Sequence, residues 1–529
     1  MPTPRAPFAA VAIAFLAVIS SPHLVADASK ILFLYPHDSM SHLGSMKPLI
    51  RAIIQAGHDV TILQTGDDET ATTVDGARVI LWTLRGIPDC VDLLNRKIWT
   101  IIDHSDKHAI YADLMEKFFG ENIRQMPDKI RQLLAEDWDL LVCDVLFTNH
   151  GFAFTQLLWH TRGVPYIIFH STFVFQYISE ALAFGGSWSA QSCLWGHLSR
   201  DSHDVYRPRS FLSRLPNFVE TFLEVFGMNW LLHHFSMQHI RKFTTRPYTQ
   251  EAFARDSALL VVDEMRGFGH VTPSKIFFHI QTKWFVFERT SRFLAFSAFC
   301  EPPGVLPQWL ADFVEDEKSK GTIYVAFGTM IRFKYAPAHI RDAFYAALNA
   351  LVDYRVVFSA RGDAPSHAFG AHVKVVSWAP QTALLAHPKT KLFISHGGLK
   401  SFKEAVCVDC PMAILPFFAE QSRNAMAAAR LGFATILNKF TLDRNRTIVE
   451  LLKVLEDDRY AERMRRLHAT FHDNVIDPAD ELRFQVARVL RRKGTRLRHA
   501  NRGEQLAIIP YFNLHLFLIF VLVIFAVFY

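Results

Sequence analysis

Two hydrophobic rhythms alternate along most of this chain. Residues 31–35 form an unbroken apolar run suited to a strand buried on both faces, residues 45–56 place apolar positions at helical spacing before Gly57, and residues 58–63 are a second apolar run. Residues 36–44 between them read as a loop. The pattern returns with a short strand at 139–143 running into Asp144, a helix closing before Val164-Pro165, and a strand at 166–169. From about 171 to 300 it gives way to short helical patterns rich in aromatic residues, Trp188, Phe211, Phe218 and Trp230 among them, with no strand rhythm. This stretch reads mainly as core, with an apolar pocket or a membrane contact as its other use. Glu301-Pro-Pro-Gly304 is the best linker candidate. Beyond it, strands are expected at 322–327, 355–359, 373–377, 392–395, 411–416 and 434–437, with helices between them and charged helices from about 447 to 492. Such alternation predicts the α/β class: two doubly wound, Rossmann-like domains facing a cleft, with ligands beyond the carboxyl ends of the strands.

One junction in the second half carries the clearest chemistry. The apolar Phe393-Ile-Ser395 is followed by His396, the pair Gly397-Gly398 and a helix. Free backbone N–H groups and the positive end of a helix dipole then face whatever lies above the strand, which is the description of a phosphate site. In the first half, His42 in the first loop and Asp144 at a later strand end emerge at one edge of a parallel sheet. An aspartate beside a histidine fixes its tautomer and stabilises its charged form. Plainer readings stand beside this one: a solvated histidine, one of 25 in the chain, and an aspartate that caps a helix or forms a turn.

Composition narrows the field. With 529 residues, half of them hydrophobic, the chain can fill two or three cores, and a net charge of +6 gives no case for nucleic-acid binding. Cys90, Cys143, Cys193, Cys300, Cys407 and Cys410 are too sparse for a disulfide scaffold. Cys407-x-x-Cys410 lacks both the partner pair of a zinc site and a thioredoxin-like setting, so it reads as packing. No metal is implied: there is no Asp-x-Asp pair at the junction and no His-Glu zinc motif.

Both termini are apolar. Arg5, the run 8–19 and Ala26-Asp-Ala28 predict a cleaved signal peptide over 1–28; the alternative, an uncleaved anchor, needs roughly 20 apolar residues. Entry into the secretory pathway would expose the Asn445-Arg-Thr447 sequon to glycosylation. Residues 510–529 are long enough to span a bilayer, and a basic segment at 493–509 precedes them. A lipid-anchor signal is the competing reading, although no clean small-residue cut site is present.

The stretch from Phe393 to Gln421 resembles the signature of the UDP-glycosyltransferases, membrane-anchored enzymes that move a sugar from a UDP-sugar to small lipophilic acceptors. His396, Gly398, Ser401, Glu404, Pro411, Pro416, Glu420 and Gln421 stand at the family's spacings. Trp378-Ala-Pro-Gln381, Phe327-Gly-Thr-Met330 and Ser41-His42-Leu43 resemble further family elements, so the likeness covers nearly the whole mature chain. The resemblance implies a GT-B fold with an acceptor-binding domain over 29–300, a UDP-sugar-binding domain over 301–492 and a transmembrane helix over 510–529. It also implies a single-pass protein of the endoplasmic reticulum membrane with lumenal catalytic domains, and leaves room for a homo-oligomer.

Residue by residue, the resemblance implies that uracil stacks on Trp378, with Gln381 at the nucleoside. His396, the amides near Gly398, Ser401 and Thr329 would hold the diphosphate. Glu404 would accept from the ribose, and Glu420 and Gln421 would bind the transferred sugar. His42 would be the general base, oriented by Asp144, in an inverting displacement with UDP-glucose or UDP-glucuronic acid as co-substrate and no other cofactor. Three departures from the family pattern bear on this. Lys400 stands where asparagine is common, Glu420 replaces an aspartate, and Ser359 replaces a basic residue, with Arg361 two positions on. Lys400 either reaches a phosphate as a point charge or snorkels to solvent. A glucuronosyl carboxylate would want a cation, for which Lys400 and Arg361 are the candidates. Lys400 also keeps open a second reading, a non-catalytic UDP-sugar- or lipid-binding protein that retains the fold.

Overall fold

The computed structural model describes residues 28–528 apart from 38–39, 67–71, 87–89, 100–104, 147, 173, 175, 183–208, 229–236, 245–247, 264, 266–273, 279–284, 290–291, 298, 361–367 and 495–513. The expected signal peptide, Arg361, Trp188, Trp230 and the start of the expected C-terminal span lie outside the described residues.

The first sheet has seven parallel strands: β1 (Lys30–Leu34), β2 (Asp59–Gly66), β3 (Arg78–Thr83), β4 (Leu140–Asp144), β5 (Tyr166–His170), β6 (Leu259–Val262) and, after a separate hairpin of β7 (Ser274–Phe278) with β8 (Phe285–Arg289), β9 (Phe293–Ala295). Their spatial order is β3-β2-β1-β4-β5-β6-β9, so the winding reverses between β1 and β4. The second sheet is also parallel: β10 (Thr322–Ala326), β11 (Arg355–Ser359), β12 (Val373–Val376), β13 (Thr390–Ser395), β14 (Met412–Ile414) and β15 (Ala434–Ile436), in the order β12-β11-β10-β13-β14-β15. Here the reversal falls between β10 and β13. Such reversals open the crevices in which doubly wound sheets bind ligands. Every residue of β4, β5 and β10 is buried, which explains why these strands read as continuous rather than alternating apolar runs.

Seven helices position the cleft: α1 (Met40–Gln55), α2 (Cys90–Ile98), α3 (Asn149–Arg162), α4 (Leu399–Cys407), α5 (Gln421–Leu431), α6 (Arg459–His472) and α7 (Pro478–Arg491). α7 returns to the first sheet, where Leu482, Val486 and Val489 join the buried cluster of Leu49, Ile53 and Ile62. α2 does the opposite. It follows β3 in the chain, yet Ile98 and Trp99 lie in the core of the second sheet with Phe333, Phe417 and Leu437.

Three expectations are corrected. His42 is not in a loop: α1 starts at Met40, so His42 is in its first turn. Gly44 disguised that start, and Pro48 sits inside α1. The aromatic middle region does contain strands. β6 and β9 extend the first sheet but are only four and three residues long, too short for a period to register. Finally, Cys407 is not a packing cysteine, because it forms a disulfide with Cys300, 107 residues away. Cys143 and Cys410 are buried free thiols. At the carboxy terminus, Leu514–Phe528 is an apolar helix of 15 residues; among the described residues, no helix is long and apolar enough to cross a membrane.

Candidate active site

The first constellation forms at the β1/β4 reversal. Asp144 ends β4 fully buried, and its Oδ1 accepts from the Leu146 backbone N–H at 2.8 Å, which fixes the carboxylate plane. The other oxygen, Oδ2, lies 2.8 Å from His42 Nδ1. Ser171, just past β5, brings its Oγ to 2.9 Å from the same nitrogen. With the Nδ1 proton given to Asp144, the lone pair of His42 is on Nε2, the nitrogen directed away from the aspartate. The capping alternative for Asp144 is partly realised in the Leu146 bond, while its second oxygen holds the histidine.

The second constellation lines the β10/β13 reversal. Ala326 and Ser395 are register partners, so the turn Phe327-Gly-Thr-Met330 and His396 leave the sheet side by side. Gly328 has φ +71°, and a Cβ there would come within 2.9 Å of the His396 ring; one on Gly398 would come within 2.5 Å. The imidazole is thus sandwiched against two glycines. Burial lowers its pKa to about 4, so it is neutral. Gly397, at φ +84°, turns the chain into α4, and Asn424 of α5 secures it by donating to its carbonyl at 2.8 Å.

The remaining predicted residues fall into two linked groups. Gln381 Oε1 accepts from the Tyr324 hydroxyl at 3.2 Å, and its Nε2 donates to Ser401 Oγ at 3.1 Å and to the Glu404 carboxylate. Burial raises the pKa of Glu404, opposed by Lys400 and the Gln381 bond. Trp378, just before this group, is largely exposed, and Thr329 is half-buried in its turn. In the other group, Glu420 Oε1 accepts from the Leu399 N–H at 3.3 Å, so the acid already occupies one of the amides at the start of α4. Burial raises its pKa too, opposed by backbone hydrogen bonds, that from Leu399 among them. Gln421 Oε1 accepts from the N–H groups of Phe417 and Phe418 at 2.9 and 3.2 Å, which ties down the loop that carries the acid-amide pair.

The two halves meet across this site. Lys400 Nζ is 3.9 Å from Glu404 Oε1, and a Cβ on Gly44 of α1 would be 2.9 Å from that same nitrogen. Lys403 on α4 pairs with the buried Asp263 at the end of β6. Sequence reading missed Ser171, Tyr324, Asp263 and Asn95, whose roles rest on partners far away in the chain. Among the described residues, Cys300, Cys407 and His472 bring three potential ligand atoms within 4.8 Å, but both sulfurs are held in the disulfide.

The family model described as UDP-glucoronosyl and UDP-glucosyl transferase matches residues 270–529. A UDP-glucuronosyltransferase of Pleuronectes platessa is 33% identical over 225 residues, 42% of this chain and 46% of that protein. UDP-glucuronosyltransferase 2A3 of Cavia porcellus is 26% identical over 482 residues, which cover 86% of this chain and 84% of the relative. The fold is shared with the crystal structure of a UDP-glucose: anthocyanidin 3-O-glucosyltransferase in complex with UDP, at a TM-score of 0.57 and 15% identity over 88% of this chain and 99% of that one. Two facing Rossmann-like sheets make the fold that of the GT-B glycosyltransferases, and with these likenesses the chain belongs to the UDP-glycosyltransferase family and is a glycosyltransferase enzyme.

Proposed function

We propose that the protein transfers a hexosyl group, glucosyl or glucuronosyl, from a UDP-sugar to a hydroxyl of a small lipophilic acceptor. The observation that carries this reading is His42 of the first half bonded through Nδ1 to buried Asp144, together with the glycine-framed His396 turn of the second half. His42 Nε2 takes the acceptor proton as the oxygen attacks the anomeric carbon, and Asp144 stabilises the imidazolium that forms. Displacement from the face opposite UDP inverts that carbon. Trp378 stacks uracil, Glu404 and Gln381 take the ribose side, and Ser401, Thr329, the Gly398 amide and His396 surround the diphosphate, whose growing charge they stabilise. A neutral His396 contributes as a hydrogen-bond donor rather than as a cation, which leaves Lys400 as the point charge on that side. Glu420 accepts from sugar hydroxyls, while Gln421, whose oxygen is committed to its loop, uses its amide N–H groups.

We place acceptor binding in residues 29–300 and donor binding in 301–492. Membrane attachment through the apolar C-terminal helix, with lumenal catalytic domains, belongs to the same reading. The exposed apolar side chains of Phe211, Leu212, Leu215 and Val219 on the helix Phe211–Phe222 support a membrane-proximal position.

The test uses full-length protein in detergent with UDP-glucose, UDP-glucuronic acid and a phenol panel. His42→Ala is expected to lower kcat at least about a hundredfold while calorimetric UDP affinity stays unchanged. Undiminished turnover in that variant removes the base assignment, and UDP binding without turnover in wild type removes the transfer reading.

A further inference from the structure

α2 is a piece of the first half that has become part of the second. Ile98 and Trp99 are buried at 0% and 2% exposure, with the indole of Trp99 packed edge-on to Phe333 and Phe417 at 5.1 and 4.7 Å between ring centres. Lys439, itself buried, donates to the carbonyls of Ile98 and Phe417, so the end of α2 is tied to the loop of Glu420 and Gln421. One turn earlier sits Asn95, with no exposed surface. Its Nδ2 donates to the Met330 carbonyl at 2.5 Å, and its Oδ1 accepts from the Arg332 N–H at 2.7 Å. Trp99 Nε1 adds a bond to the Arg332 carbonyl at 3.2 Å.

These bonds grip the backbone immediately after Thr329. On its other side Thr329 is held by Gly328, whose positive φ leaves no room for a side chain against His396. A polar turn at a strand end has several conformations of similar energy unless its backbone groups have fixed partners. Here the donor and the acceptor side of one carboxamide each engage a backbone group of that turn, although Asn95 lies 235 residues earlier than Met330. An ordinary packing contact between domains would need no such two-point match.

We infer that Asn95 is a positioning residue for the donor site: from the acceptor half, its carboxamide fixes the 328–332 turn and thereby aims Thr329 at the diphosphate. The inference rests on the reading of Thr329 as a diphosphate-holding residue. It makes donor affinity depend on the two halves being docked, since the turn is completed only when α2 is seated.

Calorimetric UDP binding and donor-saturation kinetics test it on wild type, Asn95→Ala, Thr329→Ala and the double variant, with Arg96→Ala on the exposed face of α2 as control. Loss of both bonds is expected to weaken UDP binding and raise donor KM about tenfold, with kcat and acceptor KM within about twofold of wild type. In the Thr329→Ala background the same change is expected to have an effect below about twofold, because its target is gone. Trp99→Phe, which keeps the packing and loses one N–H, should weaken UDP about threefold, and serves if Asn95→Ala does not fold. Equal UDP affinity in wild type and Asn95→Ala, or a tenfold loss that persists in the Thr329→Ala background, overturns the inference. Wild type that binds no UDP, or Thr329→Ala that binds as wild type does, overturns the donor reading beneath it.

Discussion

Individual side chains in this protein are set by what burial does to their charge. Burial holds the rings of His150 and His170 at a pKa of about 3 and that of His396 at about 4, all below the ordinary histidine value. In the unfolded chain the same rings titrate near ~6.5, so between that pH and about 4 the unfolded state takes up protons that the folded state refuses. The sign follows: this stability is complete above about pH 6.5 and is lost as pH falls, at about 1.4 kcal/mol per pH unit for each ring. Thermal melts from about pH 7.5 to about pH 4.5 should show a falling midpoint, with a shallower fall in His150→Gln. Equal slopes in the two proteins would refute this account. His42, in the first turn of α1, instead has the buried Asp144 carboxylate 2.8 Å from its Nδ1.

At the scale of elements, α4 is anchored at both ends. Its amino end follows the Gly397 turn, where an added Cβ would lie 2.6 Å from Ile414 Cγ2, and its last residue, Cys407, is bonded to Cys300 in the crossover between the sheets. Ser401 and Glu404 lie between these anchors, so the bond holds α4 against the crossover. It closes a loop of 107 residues, for which loss of a native disulfide typically costs about 2–5 kcal/mol. Cys300→Ser with Cys407→Ser should lower the urea midpoint accordingly, and added phosphine reductant should lower wild type to the level of the variant without moving the variant further. Identical midpoints in all four conditions would show that the bond contributes nothing. The sequence legibly marked α4, since its strand, glycine pair and helix are contiguous. It did not mark the disulfide, because cysteine spacing along a chain carries no information about which pair a fold brings within reach. α1 was legible as a helix but not at its start, where Gly44 argues locally for a loop and packing of Leu43 and Met46 into the core argues otherwise.

The two large sheets are joined by polar contacts as well as by the apolar packing of α2 and α7. The clearest is Lys403 with Asp263, a pair almost without solvent exposure that links α4 to the end of β6. Burial raises the pKa of Asp263, and Lys403 and Ser45 oppose the rise. Removing one partner strands the other charge. Lys403→Met alone should therefore destabilise by about 3–5 kcal/mol, and Lys403→Met with Asp263→Leu by much less. Denaturant midpoints of the three proteins measure this, and a double variant no more stable than the single one would show that the pair is not what joins the halves there.

The sequence by itself determined the α/β class, the restart of the rhythm after residue 304, and the strand–glycine–helix junction at 393–404. These follow from local periodicity and from turn chemistry confined to a few adjacent residues. Its resemblance to a family supplied roles for residues such as Trp378 and Gln381 that periodicity alone leaves mute. Only the tertiary structure decided that Ser171 joins Asp144 at His42 Nδ1, that Cys300 reaches Cys407, and that Asn95 grips a turn in the opposite sheet. Each of these pairs partners that the packing of the two halves and their sheets brings together across tens to hundreds of residues, a distance over which hydrophobic patterning carries no memory.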